Sequence, residues 1–372
     1  MKYYIIAGEA SGDLHGSNLM KAILVKDPTA EIRFWGGDLM QNVGGTLVKH
    51  YRDLAFMGFA EVIMNLRTIL GNISVCKKDI LQFQPDTLIY IDYPGFNMRI
   101  AKWAKKLGIQ NQYYISPQIW AWKENRIKEI KRDVDKMYVI LPFEKDFYEK
   151  KHNFPVEFVG HPLIDAISNR EKTTFEKFTA ENKLSQKPII ALLPGSRKQE
   201  IEKMLSIMLS VVDKFSEYQF VIAGAPSQDY EFYKQFLTTE NVNFVSNKTY
   251  DLLSVSHAAL VTSGTATLET ALFKVPQIVC YKANRISYEI AKRIITLKFI
   301  SLVNLIMDKE VVKELIQKEL NTKNLEVELN KIISGNQREE ILSQYTILEQ
   351  KLGGKGASSK TANLIINTIK KN

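Results

Sequence analysis

PIIALLPGSRKQEI, residues 188–201, compresses a strand, a turn and a helix start into one run. Ile189–Leu193 are apolar without polar alternation, the pattern of a strand covered by helices on both faces, as in a parallel sheet. Pro194 and Gly195 stop the strand, and Ser196 is a natural helix cap. The same alternation recurs on either side. Upstream, strands are expected at Tyr3–Ala7, Ile32–Trp35, Thr87–Ile91, Gln112–Ile115, Met137–Leu141 and Val156–Val159, with helices such as Leu14–Lys26 and Phe96–Leu107 between them. Downstream, they are expected at Phe220–Ala223, Val242–Val245, Ala258–Thr262 and Gln277–Cys280. This argues for an α/β protein with two Rossmann-like parallel-sheet domains facing each other across a cleft. The polar, strand-free stretch 169–187 reads as the linker region. The expected division is an N-terminal domain 1–168, a second domain 169–350 and a helical C-terminal segment 351–372. Glycines in LGGKGASSK (352–360) interrupt the largely helical last hundred residues before a final helix, Ala362–Lys370.

The 372 residues are 45% hydrophobic and 24% charged, the balance of an ordinary globular protein. The opening KYYIIAGEASGD soon turns polar, so no signal segment is expected there. No run reaches the ~18 apolar residues of a membrane span. Cys76 and Cys280 stand far apart without a motif, which argues against a disulfide framework or zinc site and suits a reducing cytoplasm. The net charge of +9 favours anionic partners: phosphorylated substrates, an anionic membrane surface or nucleic acid. The nucleic-acid reading rests on charge alone, with no reader motif. The densest basic stretch, KENRIKEIKRDVDK (123–136), has acids mixed through it, as a solvated helix face does.

Ligands of open α/β sheets bind at the carboxyl ends of strands, so the loops there carry the functional argument. In LPGSRKQEI (193–201), Gly195 allows close backbone approach; Ser196, Arg197 and the helix amides make a pyrophosphate site or simply a capped turn. TSGTATLET (262–270) again offers amides and hydroxyls to phosphate, from Ser263, Gly264, Thr265 and Thr267, with Glu269 suited to sugar hydroxyls or to a plain helix surface. In the first half, YIDYPGFNMRIA (90–101) puts Asp92 at a strand end, a general-base candidate or a turn stabiliser, followed by Asn97. GEASGDLHG (8–16) matches neither G-x-G-x-x-G nor the Walker spacing. Its Gly8, Glu9, Ser11, Gly12 and Asp13 are site candidates, and Ser11 and Asp13 can equally cap a helix. YYISPQIWAWK (113–123) brings Trp120 and Trp122 beside a strand end, to stack on a sugar or fill core. His161 in FVGHPLID (158–165) is a cleft residue or a structural histidine. DVD (133–135) is too short and too badly placed to argue for a metal.

AGEASGD, IDYPGFN, YISPQIWAW, FVGHPL, LPGSRKQEI, SGTATLE and SLVNLI, spread over residues 7–306, occur in the order and near the spacing of the lipid-A-disaccharide synthase family, which this chain resembles. The resemblance implies a GT-B glycosyltransferase, a hexosyltransferase that joins UDP-2,3-diacylglucosamine to 2,3-diacylglucosamine 1-phosphate (lipid X), giving the β-1,6-linked disaccharide and UDP. It implies no metal and no other cofactor. It also implies nucleotide binding in the second domain, acceptor binding largely in the first, and a C-terminal segment returning to the first domain of its own or a partner chain. Implied partners are the cytoplasmic face of the inner membrane, where the enzyme is peripheral, and a second copy in a homodimer. Two positions depart from the family pattern. Gly95 replaces a frequent second acid in IDYPGFN, and Val303 replaces a proline in SLVNLI.

On this footing Asp92 is the expected base for the acceptor 6-hydroxyl, with His15 or His161 next in line. Arg197, the amides around Gly195 and Ser263–Thr265, and Asn304 are expected to hold the departing diphosphate, and Glu269 the ribose. LAFMGFAEVIMNLRTILGNISV (54–75) is expected to be core in large part. Its Phe56, Met57, Phe59, Ile63, Leu66 and Ile69, near Arg67, are the candidates for membrane and acyl-chain contact.

Overall fold

The computed structural model describes residues 1–54, 66–225, 228–237, 239–284, 288 and 297–370. The chain forms two compact units, Met1–Ser168 with Leu352–Asn372, and Asn169–Lys351. The first contains seven strands: β1 (Lys2–Ala7), β2 (Glu31–Gly36), β3 (Thr46–His50), β4 (Thr87–Ile91), β5 (Gln110–Tyr114), β6 (Lys136–Val139) and β7 (Glu157–Phe158). They lie in the order β3-β2-β1-β4-β5-β6-β7, all neighbours parallel. The second contains β8 (Ile189–Leu193), β9 (Gln219–Gly224), β10 (Val242–Ser246), β11 (Ser256–Thr262), β12 (Gln277–Tyr281) and β13 (Lys313–Ile316). Their order is β10-β9-β8-β11-β12-β13, again parallel throughout.

The central strands β1, β4 and β8 are buried on consecutive residues, which is what their unbroken apolar runs require. The two strands without a sequence signal, β3 and β13, are edge strands. TLVKH is half-buried, and KELI carries charged residues, so neither has an apolar run to find. Two further differences concern connections. The stretch read as linker contains the helix Phe175–Glu181, capped by Thr174, and buries Phe178 in the core of the second unit. The last helix spans Ala357–Lys370, starting earlier than expected. Its start is set by Asp165, whose carboxylate accepts from the amides of Gly356 (2.6 Å) and Ser358 (3.0 Å). With the bond from the His161 amide to the Leu352 carbonyl (2.9 Å), these contacts fasten the end of the chain to the first unit, where the helix packs on Ala10–Lys26.

A buried carboxylate capping two amides is worth on the order of 1–2 kcal/mol. Asp165→Ala is therefore expected to lower the melting temperature and to speed hydrogen exchange in 357–370 selectively. Unchanged exchange there would show that the helix is held by apolar packing alone.

Candidate functional site

Each sheet reverses its winding once. In the first unit the chain runs outward through β1, β2 and β3, then returns to place β4 on the other side of β1; in the second, β8 and β11 stand in the same relation. Loops on either side of such a reversal diverge and leave a crevice at the carboxyl ends of the strands. GEASGD and IDYPGFN leave β1 and β4. LPGSRKQEI and TSGTATLET leave β8 and β11. The two switch points thus gather four of the singled-out motifs into two pairs.

In the second unit the β8 and β11 loops line a cavity of about 450 Å3 together with Ala223–Ala225 after β9. Gly195, Ser196, Arg197, Ser263, Gly264, Thr265 and Glu269 all face it. Gly195 has φ +107°, and a Cβ there would fall 2.2 Å from the Glu200 carboxylate, so another residue would strain the backbone and collide. Arg197 is the N-cap of the helix Lys198–Leu209 and is exposed. Its guanidinium has no hydrogen-bond or ion-pair partner among the described residues. The first amides of that helix lack intrahelical acceptors, which favours an anion at this end. Glu200, which the sequence did not bring out, already uses the position: its carboxylate accepts from the Ser196 amide at 3.2 Å. Glu269 accepts the Tyr250 hydroxyl at 2.7 Å through one oxygen, and burial pushes its carboxyl upward.

In the first unit the β4 loop is held by its backbone. Asp92 and Tyr93 both adopt the left-handed conformation, at φ +45° and +50°, an uncommon pair for residues with side chains. The Asp92 carbonyl accepts from Asn97 Nδ2 (2.7 Å) and from the Tyr113 hydroxyl (2.6 Å), which pins the strained turn. Gly8 makes room for it, since a Cβ at that residue would lie 2.3 Å from the Tyr93 ring. Burial, and then the charge of Glu9, raise the Asp92 carboxyl to about 6. A carboxylate poised there is an effective proton acceptor near neutrality.

Several expected contacts are corrected by burial. Asn304 has no exposed surface; its amide donates to the Val312 carbonyl and Glu314, and its oxygen accepts from the amides of Val311 and Val312. It has nothing left for a diphosphate and instead orders the segment that Ser263 Oγ grips through the Ile300 carbonyl (2.9 Å). Thr267 is likewise buried, its hydroxyl donating to the Gly264 carbonyl. Asn97 is buried beneath Asp92 and positions it. Asp13 caps the helix Asp38–Val43 through the amides of Gly37, Leu39 and Met40. Trp120 donates its indole N–H to the buried Glu144, which also holds Ser116 and the amides of Ile140 and Leu141. Gly12 is buried, while Glu9 and Ser11 are exposed beside the strand end.

His15 and His161 are buried, and burial pushes them down to about 4 and about 3. Both are neutral at pH 7, but neither reaches solvent to take a substrate proton. In DVD, Asp133 pairs with Arg132, and Asp135 with Lys105 and the Asn111 amide. Among the described residues, no cluster of three or more His, Cys, Asp or Glu could hold a metal ion. Phe56, Met57, Phe59 and Ile63 lie outside the described residues, as do the side chains of Leu66 and Ile69.

The fold is shared with solved structures of low sequence identity. UDP-GlcNAc 2-epimerase from Neisseria meningitidis superposes with a TM-score of 0.66 at 15% identity, covering both chains entirely. The kitacinnamycin glycotransferase superposes at 0.67 with 12% identity and 98% of each chain covered. These likenesses establish the GT-B class of two Rossmann-like parallel-sheet units. Sequence narrows it further. Lipid-A-disaccharide synthases from Syntrophus aciditrophicus and Geobacter metallireducens are 39% and 37% identical over 99% of this chain and 97% of theirs. The enzyme of that name from Coxiella burnetii is 36% identical over 98% of both chains. The lipid-A-disaccharide synthetase family model matches residues 3–368. Spanning nearly every residue and both switch-point loop pairs, these matches show that the chain belongs to the lipid-A-disaccharide synthase family, glycosyltransferases of lipid A biosynthesis.

Proposed function

We propose that this chain transfers the sugar of UDP-2,3-diacylglucosamine to the 6-hydroxyl of 2,3-diacylglucosamine 1-phosphate, forming the β-1,6-linked disaccharide 1-phosphate and UDP. The observation that carries the reading is Asp92: a carboxyl raised to about 6 on a strained, doubly anchored turn at a switch point. Inversion at the anomeric carbon needs a base, and Asp92 takes the proton of the acceptor hydroxyl as its oxygen bonds to that carbon. The bond from the carbon to the diphosphate oxygen breaks, and UDP leaves with the electron pair. Arg197 and the amides after β8 and β11 stabilise the charge that develops there. Glu269 accepts from ribose hydroxyls through the oxygen that Tyr250 does not occupy.

The same reading puts the protein at the cytoplasmic face of the inner membrane as a peripheral enzyme. No helix among the described residues is long and apolar enough to cross a membrane. The helix Leu66–Phe83 nevertheless exposes Leu70 and Val75, 53% and 52% accessible, and the +9 net charge favours an anionic surface.

Asp92→Asn is expected to cut turnover by about 10²–10⁴-fold while leaving UDP affinity intact; near-normal turnover would remove Asp92 as the base. Wild-type turnover should rise with pH to a plateau above about 6, as the carboxylate ionises. The stability effect has the opposite sign. The folded protein holds this proton to higher pH than the unfolded chain, so stability falls as pH rises from 3.8 through about 6. The Asn variant, spared that loss, should therefore melt higher than wild type at pH 7. Arg197→Ala should weaken UDP binding on the order of tenfold or more, measured by calorimetry; equal affinity would exclude the contact. Leu70→Glu should reduce binding to anionic vesicles in flotation without changing UDP affinity, and undiminished vesicle binding would refute this surface.

A further inference from the structure

Beyond β5 the chain lines a cavity in the first unit, about 520 Å3, with Trp122, Lys123, Glu124, Asn125, Arg126 and Glu129. Its walls are fixed from behind. Glu144 holds Ser116 and Trp120, and the amide of Arg126 closes a tight turn on the Lys123 carbonyl at 3.0 Å. Glu124 is committed to Lys151 (2.7 Å) and His152 (3.1 Å), so its negative charge is already compensated. Lys123 lies 4.2 Å above the Trp122 ring, an attraction that restrains an otherwise mobile ammonium. Arg126 is different. It is half-buried, and its guanidinium has no hydrogen-bond or ion-pair partner among the described residues.

Most arginines that lose solvent gain a carboxylate, because a desolvated, unpaired cation is costly. Here the two cations share with Glu129, whose charge also acts on Arg132, a cavity larger than a phosphate group. The segment that carries Arg126 follows β5, which pairs with β4, the strand that leads into Asp92, and whose Tyr113 donates its hydroxyl to the Asp92 carbonyl. The cavity is therefore lined by residues that follow the strand next to the one that carries Asp92.

We propose that this cavity is a phosphate-monoester subsite, in which Arg126, seconded by Lys123, binds the 1-phosphate of the acceptor sugar. The inference rests on the function proposed above, and it assigns acceptor recognition to residues outside the catalytic loop. A planar guanidinium matches two phosphate oxygens at once, so the site distinguishes the phosphorylated acceptor from the same lipid without phosphate. A phospholipid headgroup carries related chemistry, and the experiment must separate the two.

The test compares diacylglucosamine with and without its 1-phosphate, in nonionic detergent micelles free of phospholipid, by calorimetric binding and by UDP release. Wild type is expected to bind and use the phosphorylated form preferentially. Arg126→Gln should weaken its binding and raise its KM on the order of ten- to a hundredfold, erase the preference, and leave UDP affinity unchanged. Lys123→Gln should do the same to a smaller degree. A preference that survives in Arg126→Gln overturns the subsite. So does an Arg126→Gln variant that keeps the preference in micelles but loses binding to anionic phospholipid vesicles in a parallel flotation assay, since the cation then serves membrane lipid. If wild type binds the phosphorylated lipid through Arg126 but releases no UDP, the subsite stands and the proposed reaction fails.

Discussion

A parallel sheet must change winding direction somewhere if strands are to be added on both sides of the first one, and each sheet of this protein does so once, beside β1 and beside β8. Right-handed crossovers then carry adjacent loops to opposite faces, and the space between them is left unfilled. Ligand-binding chemistry collects there because backbone amides and strand-end side chains point into that space without competing for core packing. The arrangement recurs in both units, although their loops carry different side chains. The β8 and β11 loops present amides, hydroxyls and an arginine without an ion-pair partner among the described residues, a set suited to diphosphate. The β1 and β4 loops present carboxylates, Glu9 and Asp92, a set suited to moving a proton.

Holding Asp92 ready has a structural cost. Two consecutive left-handed residues with side chains cost on the order of 1–3 kcal/mol each. The Asn97 and Tyr113 hydrogen bonds to one carbonyl offset part of this. Asn97 is restricted to that task by burial, with its oxygen left unpartnered. Gly8 is part of the same device, because the Tyr93 ring occupies the place of its missing side chain. The raised pKa of Asp92 follows from this packing: a turn pressed against β1 loses water and sits beside Glu9.

The alternation of strands and helices was legible because buried parallel strands need unbroken apolar runs, as in Ile189–Leu193. β3 and β13 escaped because edge strands do not. The cavity-lining loop after β8 was legible for a related reason. Gly195 and Arg197 show in the turn itself, as backbone freedom and an exposed charge, and both properties belong to single residues. Asn304, Thr267 and Asp13 were misread because a polar residue in a distinctive motif looks the same in sequence whether it meets a ligand or a neighbouring backbone. Glu144, Glu200 and Tyr113 were overlooked because their partners are brought to them by folding. Even Glu200, four residues from Ser196, shows its role only once the turn at Gly195 has closed.

The sequence by itself determined the α/β class and the family, and marked the strand-end loops, since these depend on local periodicity and on motifs whose order survives along the chain. Only the tertiary structure decided which polar side chains are spent within the protein and which remain for a substrate. That division depends on burial and on partners far apart in the chain: Asp165 on Gly356 and Ser358, Asn304 on Val312, Tyr113 on Asp92. A buried polar group must find a hydrogen bond, and the identity of that bond is settled only when distant segments come together.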